Sequence, residues 1–327
     1  MNEMNIALAT DDVGCAYAAA VLTSASRSSP QHENIIFHVI TLGLSSENMR
    51  RFKELESQIG QQINIIVFDA DHFNLPKAKG YVQTAYLRLF LSEMLPSLSK
   101  VLYLDYDVLV RKPIKALYDL SVENCGAIVA LDRLWVHKES QAAYYKSLGL
   151  LDPILYFNSG VMVINLEYWR ENNVGSKCVA WLEKNAQLGR YADQDALNFV
   201  LQGRIRLCSS RWNATTSLIQ GVMYHSRRAS LFRDDVENAS IVHFTGGRKP
   251  WRREFRILYA NEFLQYLGQS PWNGSAIPKL TPFQVWCRFG DETKHFFLVI
   301  KSFFKKTLRI GAVYDRIIGE PHHFDAH

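Results

Sequence analysis

Apolar residues fall along the first 270 positions in short blocks that switch between two periods. Ile6-Ala7-Leu8-Ala9 is a continuous apolar run that stops at Thr10-Asp11-Asp12, which predicts a buried strand ending in a polar loop. Residues 16–25 are small and apolar, as expected of a helix packed on a sheet. Residues 35–42 and 63–68 predict two more strands, with a helix over 49–59 between them. Residues 86–95 predict a helix closed by Pro96, and 101–104 a strand that runs directly into Asp105-Tyr106-Asp107. Further strands are predicted at 127–131 and 161–165, a helical pattern from 168 to about 188, and a new helix beginning near Asp193. Strands alternating with helices imply parallel βαβ units. There is no internal repeat and no low-complexity segment.

Composition adds a size and a compartment. A chain of 327 residues with 48% hydrophobic content holds enough material for one large core. Its seven tryptophans either pack that core or face flat ligands such as sugar rings. Five widely spaced cysteines include no Cys-x-x-Cys pair, so neither a disulfide framework nor a thiolate zinc site is suggested. The opening residues lack a basic stretch followed by an apolar one, and no run approaches the ~20 apolar residues that span a bilayer. The expectation is a reducing, cytoplasmic location.

Charge changes the picture at one end. Pro271, Asn273-Gly274 and Pro278 read as a linker, which divides the chain into a main domain at 1–274 and an extension at 275–327. Between residues 283 and 318, seven Lys/Arg stand against three Asp/Glu, which accounts for most of the formal net charge of +5. Phe296, Phe297, Phe303 and Phe304 lie there among Lys294, Lys301, Lys305, Lys306 and Arg309. This interleaving fits an interfacial helix on an anionic membrane, or a helix packed back on the domain with its lysines in water. The density of aromatics favours the membrane. No nucleic-acid motif accompanies the charge, so nucleic acid is not an expected partner.

The candidate chemistry sits where apolar strands end, the place where open α/β sheets bind ligands. Asp11-Asp12 and the pair Asp105 and Asp107 each follow such a strand. Carboxylates two apart in extended backbone point the same way and can share one cation that bridges phosphate oxygens. Taken alone, Asp-x-Asp is equally an ordinary solvated turn. Downstream, His243 follows the apolar Ile241-Val242. Gly246 and Gly247 let backbone approach a phosphate, and Lys249 offers a point charge for a leaving diphosphate. An imidazole beside two carboxylates favours Mn²⁺ over Mg²⁺. Read singly, His243 is as well a satisfied core histidine, and Arg248, Lys249, Arg252 and Arg253 a solvated basic face.

As a set, these segments resemble glycosyltransferase family 8, in particular its bacterial lipooligosaccharide galactosyltransferases and glucosyltransferases. The resemblance is carried by Ile6 through Asp12, Thr84-Ala85-Tyr86-Leu87-Arg88-Leu89, Val101 through Asp107, Phe157 through Asn165, Asp193-Gln194-Asp195 and His243 through Trp251. It implies a single Rossmann-like nucleotide-sugar-binding α/β domain of GT-A type, a mixed sheet flanked by helices, followed by a helical basic extension. It further implies Mn²⁺, with Mg²⁺ as the alternative, held by Asp105, Asp107 and His243. The implied reaction is transfer of galactose or glucose from a UDP-sugar to an oligosaccharide or lipid-linked acceptor, with retention of configuration. That places the protein in lipopolysaccharide biosynthesis, at the inner face of the cell membrane.

On the matching positions the resemblance implies that Asp11 would contact the uracil, Arg88, Asp132 and Asn158 the donor sugar, and Gly246 with Lys249 the diphosphate. Thr10, Asp12 and Tyr106 complete the donor set. Val13 departs from the family, whose members often carry a polar residue there. The functional reading puts Gln194 under the anomeric carbon and Asp193 or Asp195 on the sugar hydroxyls, although an aspartate at 193 also suits the cap of a helix. Retention follows from a covalent intermediate or from same-face attack, and a glutamine's poor nucleophilicity favours the latter. The other readings are a sugar nucleotidyltransferase, which would release pyrophosphate, and a non-catalytic nucleotide-sugar-binding protein.

Overall fold

Side-chain alternation along the first strand builds the molecule's two cores. In the computed structural model, which describes residues 3–30, 33–69, 83–132, 139–185, 191–223, 229–252 and 257–273, β1 (Met4–Ala9) sends Ile6 and Leu8 to one face. Ala7 and Ala9 go to the other, into a separate apolar cluster. The same split recurs on β4 (Lys100–Leu104), with Leu102 and Leu104 on the first face and Val101 and Tyr103 on the second. A strand buried on both sides needs no polar alternation, which is why these segments read as unbroken apolar runs.

Around them lie β2 (Ile35–Thr41), β3 (Gln62–Val67), β6 (Ala127–Leu131), β7 (Phe157–Asn165) and β8 (Ile205–Leu207), in the order β3-β2-β1-β4-β7-β6-β8. The first four are mutually parallel, as the βαβ pattern predicts. β7 runs antiparallel to both β4 and β6, so the sheet is mixed. A small second sheet, β5 (Val108–Val110), β10 (Ile241–His243) and β9 (Ala214–Thr215), stands just beyond the end of β4. The helix Cys15–Ser28 ties the two sheets together. Its residues 15–25 are all buried, which explains their small size, and Ser24 accepts from the Val110 N–H at 3.2 Å.

Three expectations change. Residues 86–95 form a 3₁₀ helix, Gln83–Phe90, followed by a short α-turn, Leu91–Met94. Tyr86 through Leu91 are buried, so packing rather than an amphipathic period sets the winding, and Arg88 Nε donates to Ala85 O. The helix predicted from 168 is two, Leu166–Glu171 and Val174–Lys184, broken at Asn173 in the left-handed region (φ 50°); residue 188 lies outside the described residues. Asp193 does not cap the helix Ala192–Val200, because Tyr191 is its N-cap and makes no side-chain cap bond. The extension at 275–327 and its membrane reading fall outside the described residues. Among the described residues no helix is long and apolar enough to cross a membrane.

Candidate active site

The end of β4 and the end of β10 (Ile241–His243) meet. The chain leaves β4 at Asp105, turns through Tyr106 and Asp107, and re-enters extended structure in β5. The two carboxylates therefore converge across a turn, not along a strand as the two-residue spacing had suggested. β10 pairs antiparallel with β5, setting His243 opposite Val108, and the Phe244 N–H donates to Asp107 O at 3.0 Å. Register thus delivers the imidazole to the acid pair. His243 Nε2 lies 3.2 Å from Asp107 Oδ1 and 3.7 Å from Asp105 Oδ2. One ligand atom from each of the three lies within 4.8 Å of the others.

Gly160 on β7 makes room for this convergence. A Cβ there would stand 2.2 Å from His243 Cε1 and 2.5 Å from Asp105 Oδ2, so any side chain would push ligands apart. Two carboxylate oxygens and an imidazole nitrogen gathered over a bare glycine fit a divalent transition cation. Burial alone would raise the Asp107 carboxyl, but Lys249 and His243 beside it hold it well below the usual carboxylate range.

Arg88 joins this cluster to the helix Ala192–Val200. Its guanidinium meets Asp105 Oδ1 at 2.7 Å and Asp193 Oδ2 at 3.0 Å, donates to Ser159 O at 3.1 Å, and lies over the Tyr103 ring. Tyr103 OH also donates to Asp105 Oδ1 at 2.9 Å. Burial pushes the Asp193 carboxyl up to about 6 in spite of Arg88.

A chain of amides and hydroxyls continues the network. Asn158 Nδ2 and the Ser159 N–H donate to Gln194 Oε1 at 3.2 and 3.0 Å. Gln194 Nε2 donates to Tyr156 OH, and Tyr156 and Tyr144 donate to the two oxygens of Asp195 at 2.6 and 2.5 Å. The Tyr191 N–H adds a third bond to Asp195, which is fully buried. Of the three residues read as catalytic, Asp193 and Gln194 line the cluster around Arg88 and Asn158, while Asp195 stands behind Gln194.

The nucleotide side is built from loops. Asp11 Oδ1 accepts from the Gly14 N–H at 2.7 Å, and Thr10 beside it is buried. Asp12 Oδ1 instead accepts from the Ser45 N–H and Asn48 Nδ2, at the start of the helix Ser46–Ile59. Val13 is 80% exposed. Tyr17 and Trp251 stack at 3.7 Å with 9° between their planes, and Tyr106 lies 6.1 Å from Trp251. This stack carries the segment 244–251 onto the turn between the aspartates. Gly246 has φ 77°, and the space beside Gly246 and Gly247 is open. Lys249 Nζ rests on Asp107 and on Phe244 O. Asp132, at the end of β6, is buried, and burial pushes its carboxyl up to about 7.

Asn213, whose Oδ1 lies 3.0 Å from His243 Nδ1, carries no sequence signal of the kind that marked the acid pair, and neither do Tyr144, Tyr156 and Gly160. Of these only Gly160 had a visible cue, since it lies in the Phe157–Asn165 segment that carries the family resemblance, directly before the strand predicted at 161–165.

Comparisons with known proteins identify the family and the fold. Glycosyl transferase family 8 matches residues 5–254. General stress protein A of Bacillus subtilis is 26% identical over 85% of this chain and 97% of its own length. Lipopolysaccharide 1,3-galactosyltransferase of Salmonella typhimurium is 30% identical over 84% of this chain and 81% of its own. The crystal structure of galactosyltransferase LgtC in complex with donor and acceptor sugar analogues superposes with a TM-score of 0.72 at 28% identity, covering 87% of this chain and 100% of that one.

Proposed function

The chain belongs to glycosyl transferase family 8 and is a glycosyltransferase of GT-A fold, and on that premise we propose that it moves galactose or glucose from a UDP-sugar to a saccharide acceptor with retention of configuration. The observation that carries the proposal is the meeting of Asp105, Asp107 and His243 beside the open backbone of Gly246 and Gly247. Bound by those three side chains, Mn²⁺, or Mg²⁺ in its place, would supply positive charge to the departing diphosphate.

The chain's own residues do the rest. Lys249 exchanges its bond to Asp107 for one to the diphosphate and stabilises charge as the glycosidic bond breaks. Asp11 meets the uracil, with Thr10, Asp12 and Tyr106 shaping the nucleotide side. Asp132, Asn158 and Arg88 border the donor sugar, and Arg88 also sets the angle between Asp105 and Asp193. Gln194 presents its amide edge to the anomeric carbon. Its oxygen already accepts from Ser159 and Asn158, so it is a poor nucleophile, which supports same-face attack over a covalent intermediate. Asp195 positions Gln194 through Tyr156.

The acceptor we propose is a lipid-linked oligosaccharide of lipopolysaccharide biosynthesis, reached at the inner face of the membrane. Support comes from the name of the Salmonella relative and from the basic, aromatic residues 283–318. The test is incubation with a panel of UDP-sugars and Mn²⁺, scoring free UDP and the anomeric configuration of the product. UDP release with one hexose and retained configuration is expected. Release of pyrophosphate, or no turnover with any UDP-hexose, would refute the reading.

A further inference from the structure

His243 has two ring nitrogens, and a metal ligand must offer an unprotonated one. Which nitrogen that is depends on what the other one bonds. His243 Nε2 faces Asp105 and Asp107, while Nδ1 lies 3.0 Å from Asn213 Oδ1 on the far side of the ring. Both residues are almost wholly buried, so water does not choose for them.

The polarity of this contact is set from outside it. A backbone N–H can only donate. The Gly160 N–H meets Asn158 Oδ1 at 3.1 Å, so that end of the Asn158 amide must be its oxygen. The atom of Asn213 lying 2.9 Å from the same oxygen must then be its NH₂. Asn213 therefore turns its own oxygen to His243 and accepts from Nδ1–H. At the other end of Asn158 the pattern agrees. Its Nδ2 donates to Gln194 Oε1, whose identity is fixed independently by the Ser159 N–H. Two backbone N–H groups on one strand thus orient three amides and one imidazole.

We infer that Asn213 is a positioning residue that holds the proton of His243 on Nδ1, leaving Nε2 free to bind the cation. Its geometry comes from the fold. β9 pairs parallel to β10 with Thr215 opposite His243, and Asn213 immediately precedes β9. The same side chain links the metal-binding wall to Asn158 and Gln194, so the two halves of the site share one hydrogen-bond frame.

The inference rests on the cation reading for its metal arm only, and two variants of the full chain test it. Asn213→Leu removes both bonds. Asn213→Asp keeps an oxygen for Nδ1–H and gives up the donor to Asn158. Nitrogen-15 NMR of histidine-labelled, metal-free protein reads the ring proton directly, and titration with Mn²⁺ alone reads affinity. We expect a protected Nδ1–H signal in the wild type and in Asn213→Asp, and its loss in Asn213→Leu. Mn²⁺ affinity should fall about 10–100-fold in Asn213→Leu. In Asn213→Asp it should stay at the wild-type level or rise. Unchanged Mn²⁺ affinity, or a surviving Nδ1–H signal, in Asn213→Leu overturns the inference while leaving the metal site standing. A wild type that binds no Mn²⁺ removes the metal site, and the Nδ1–H readout still judges Asn213. Should Asn213→Leu fail to fold, loss of the Nδ1–H signal in Asn213→Asp is the overturning result and its retention the supporting one.

Discussion

Asp105, Arg88, Asn158 and Gln194 form a floor in which each side chain meets at least two fixed partners, and Arg88 ties Asp193 to it. The wall opposite, from Phe244 to Trp251, is tied to the site by Lys249 on Asp107 and by Trp251 on Tyr17. The floor resembles a core in which sugar oxygens and a cation would meet preorganised groups, with little reorganisation at the moment of reaction. The wall has glycines with open space beside them and a lysine held on Asp107 and Phe244 O. Under the proposed function, the floor would supply geometry and the wall charge neutralisation and nucleotide grip.

Substitutions in each region break or sharpen that division. Asp107→Asn touches both, since it removes a metal ligand and the partner of Lys249, and UDP release with Mn²⁺ should fall at least about 10³-fold. Full activity in that variant would dissolve the division altogether. Lys249→Ala strikes the wall alone. Its kcat should drop about 10²–10³-fold, as when one transition-state donor is lost, while Mn²⁺ affinity in the absence of nucleotide stays close to wild type. Gly160→Ala strikes the floor alone. A methyl group 2.2 Å from the imidazole should lower Mn²⁺ affinity and cost about 1–3 kcal/mol of stability, read in a denaturant titration.

Asp132 separates stability from function. Its carboxyl titrates at about 7 in the folded protein against an ordinary value of 3.8, so the folded state binds that proton more tightly than the unfolded chain. The associated stability is complete below about pH 4 and is lost as pH rises towards 7. Asp132→Asn should therefore gain stability over the wild type progressively across that window, and lose turnover. A stability difference independent of pH would contradict the burial argument. The smallest effect belongs to Trp251→Leu. Losing the stack on Tyr17 costs about 0.5–1.5 kcal/mol, read as a rise in KM for the UDP-sugar with kcat nearly unchanged.

The chain's pattern announces the parts that sit at strand ends. β1, β4 and β10 are apolar runs that stop at Thr10-Asp11, Asp105 and His243, and the last two stops meet in the cluster with Asp107. The antiparallel course of β7 was not legible, because a strand buried on both faces reads the same in either direction. The break at Asn173 was hidden because the apolar spacing continues across it. Asn213 and Tyr144 were invisible for another reason. They meet their partners across 30 and 51 residues of sequence, through single hydrogen bonds that impose no period on the chain. Asp12 shows the converse, since its carboxylate looks like a ligand in sequence but anchors Ser45 and Asn48 in the fold.

The most direct test is an anomalous difference map from crystals grown with Mn²⁺ and UDP. A single peak bonded to the carboxylates of Asp105 and Asp107 and to Nε2 of His243, with the diphosphate on the side of Gly246 and Lys249, is the predicted result. UDP bound with no peak among those three side chains, or a peak bonded to Nδ1 of the imidazole, would contradict it.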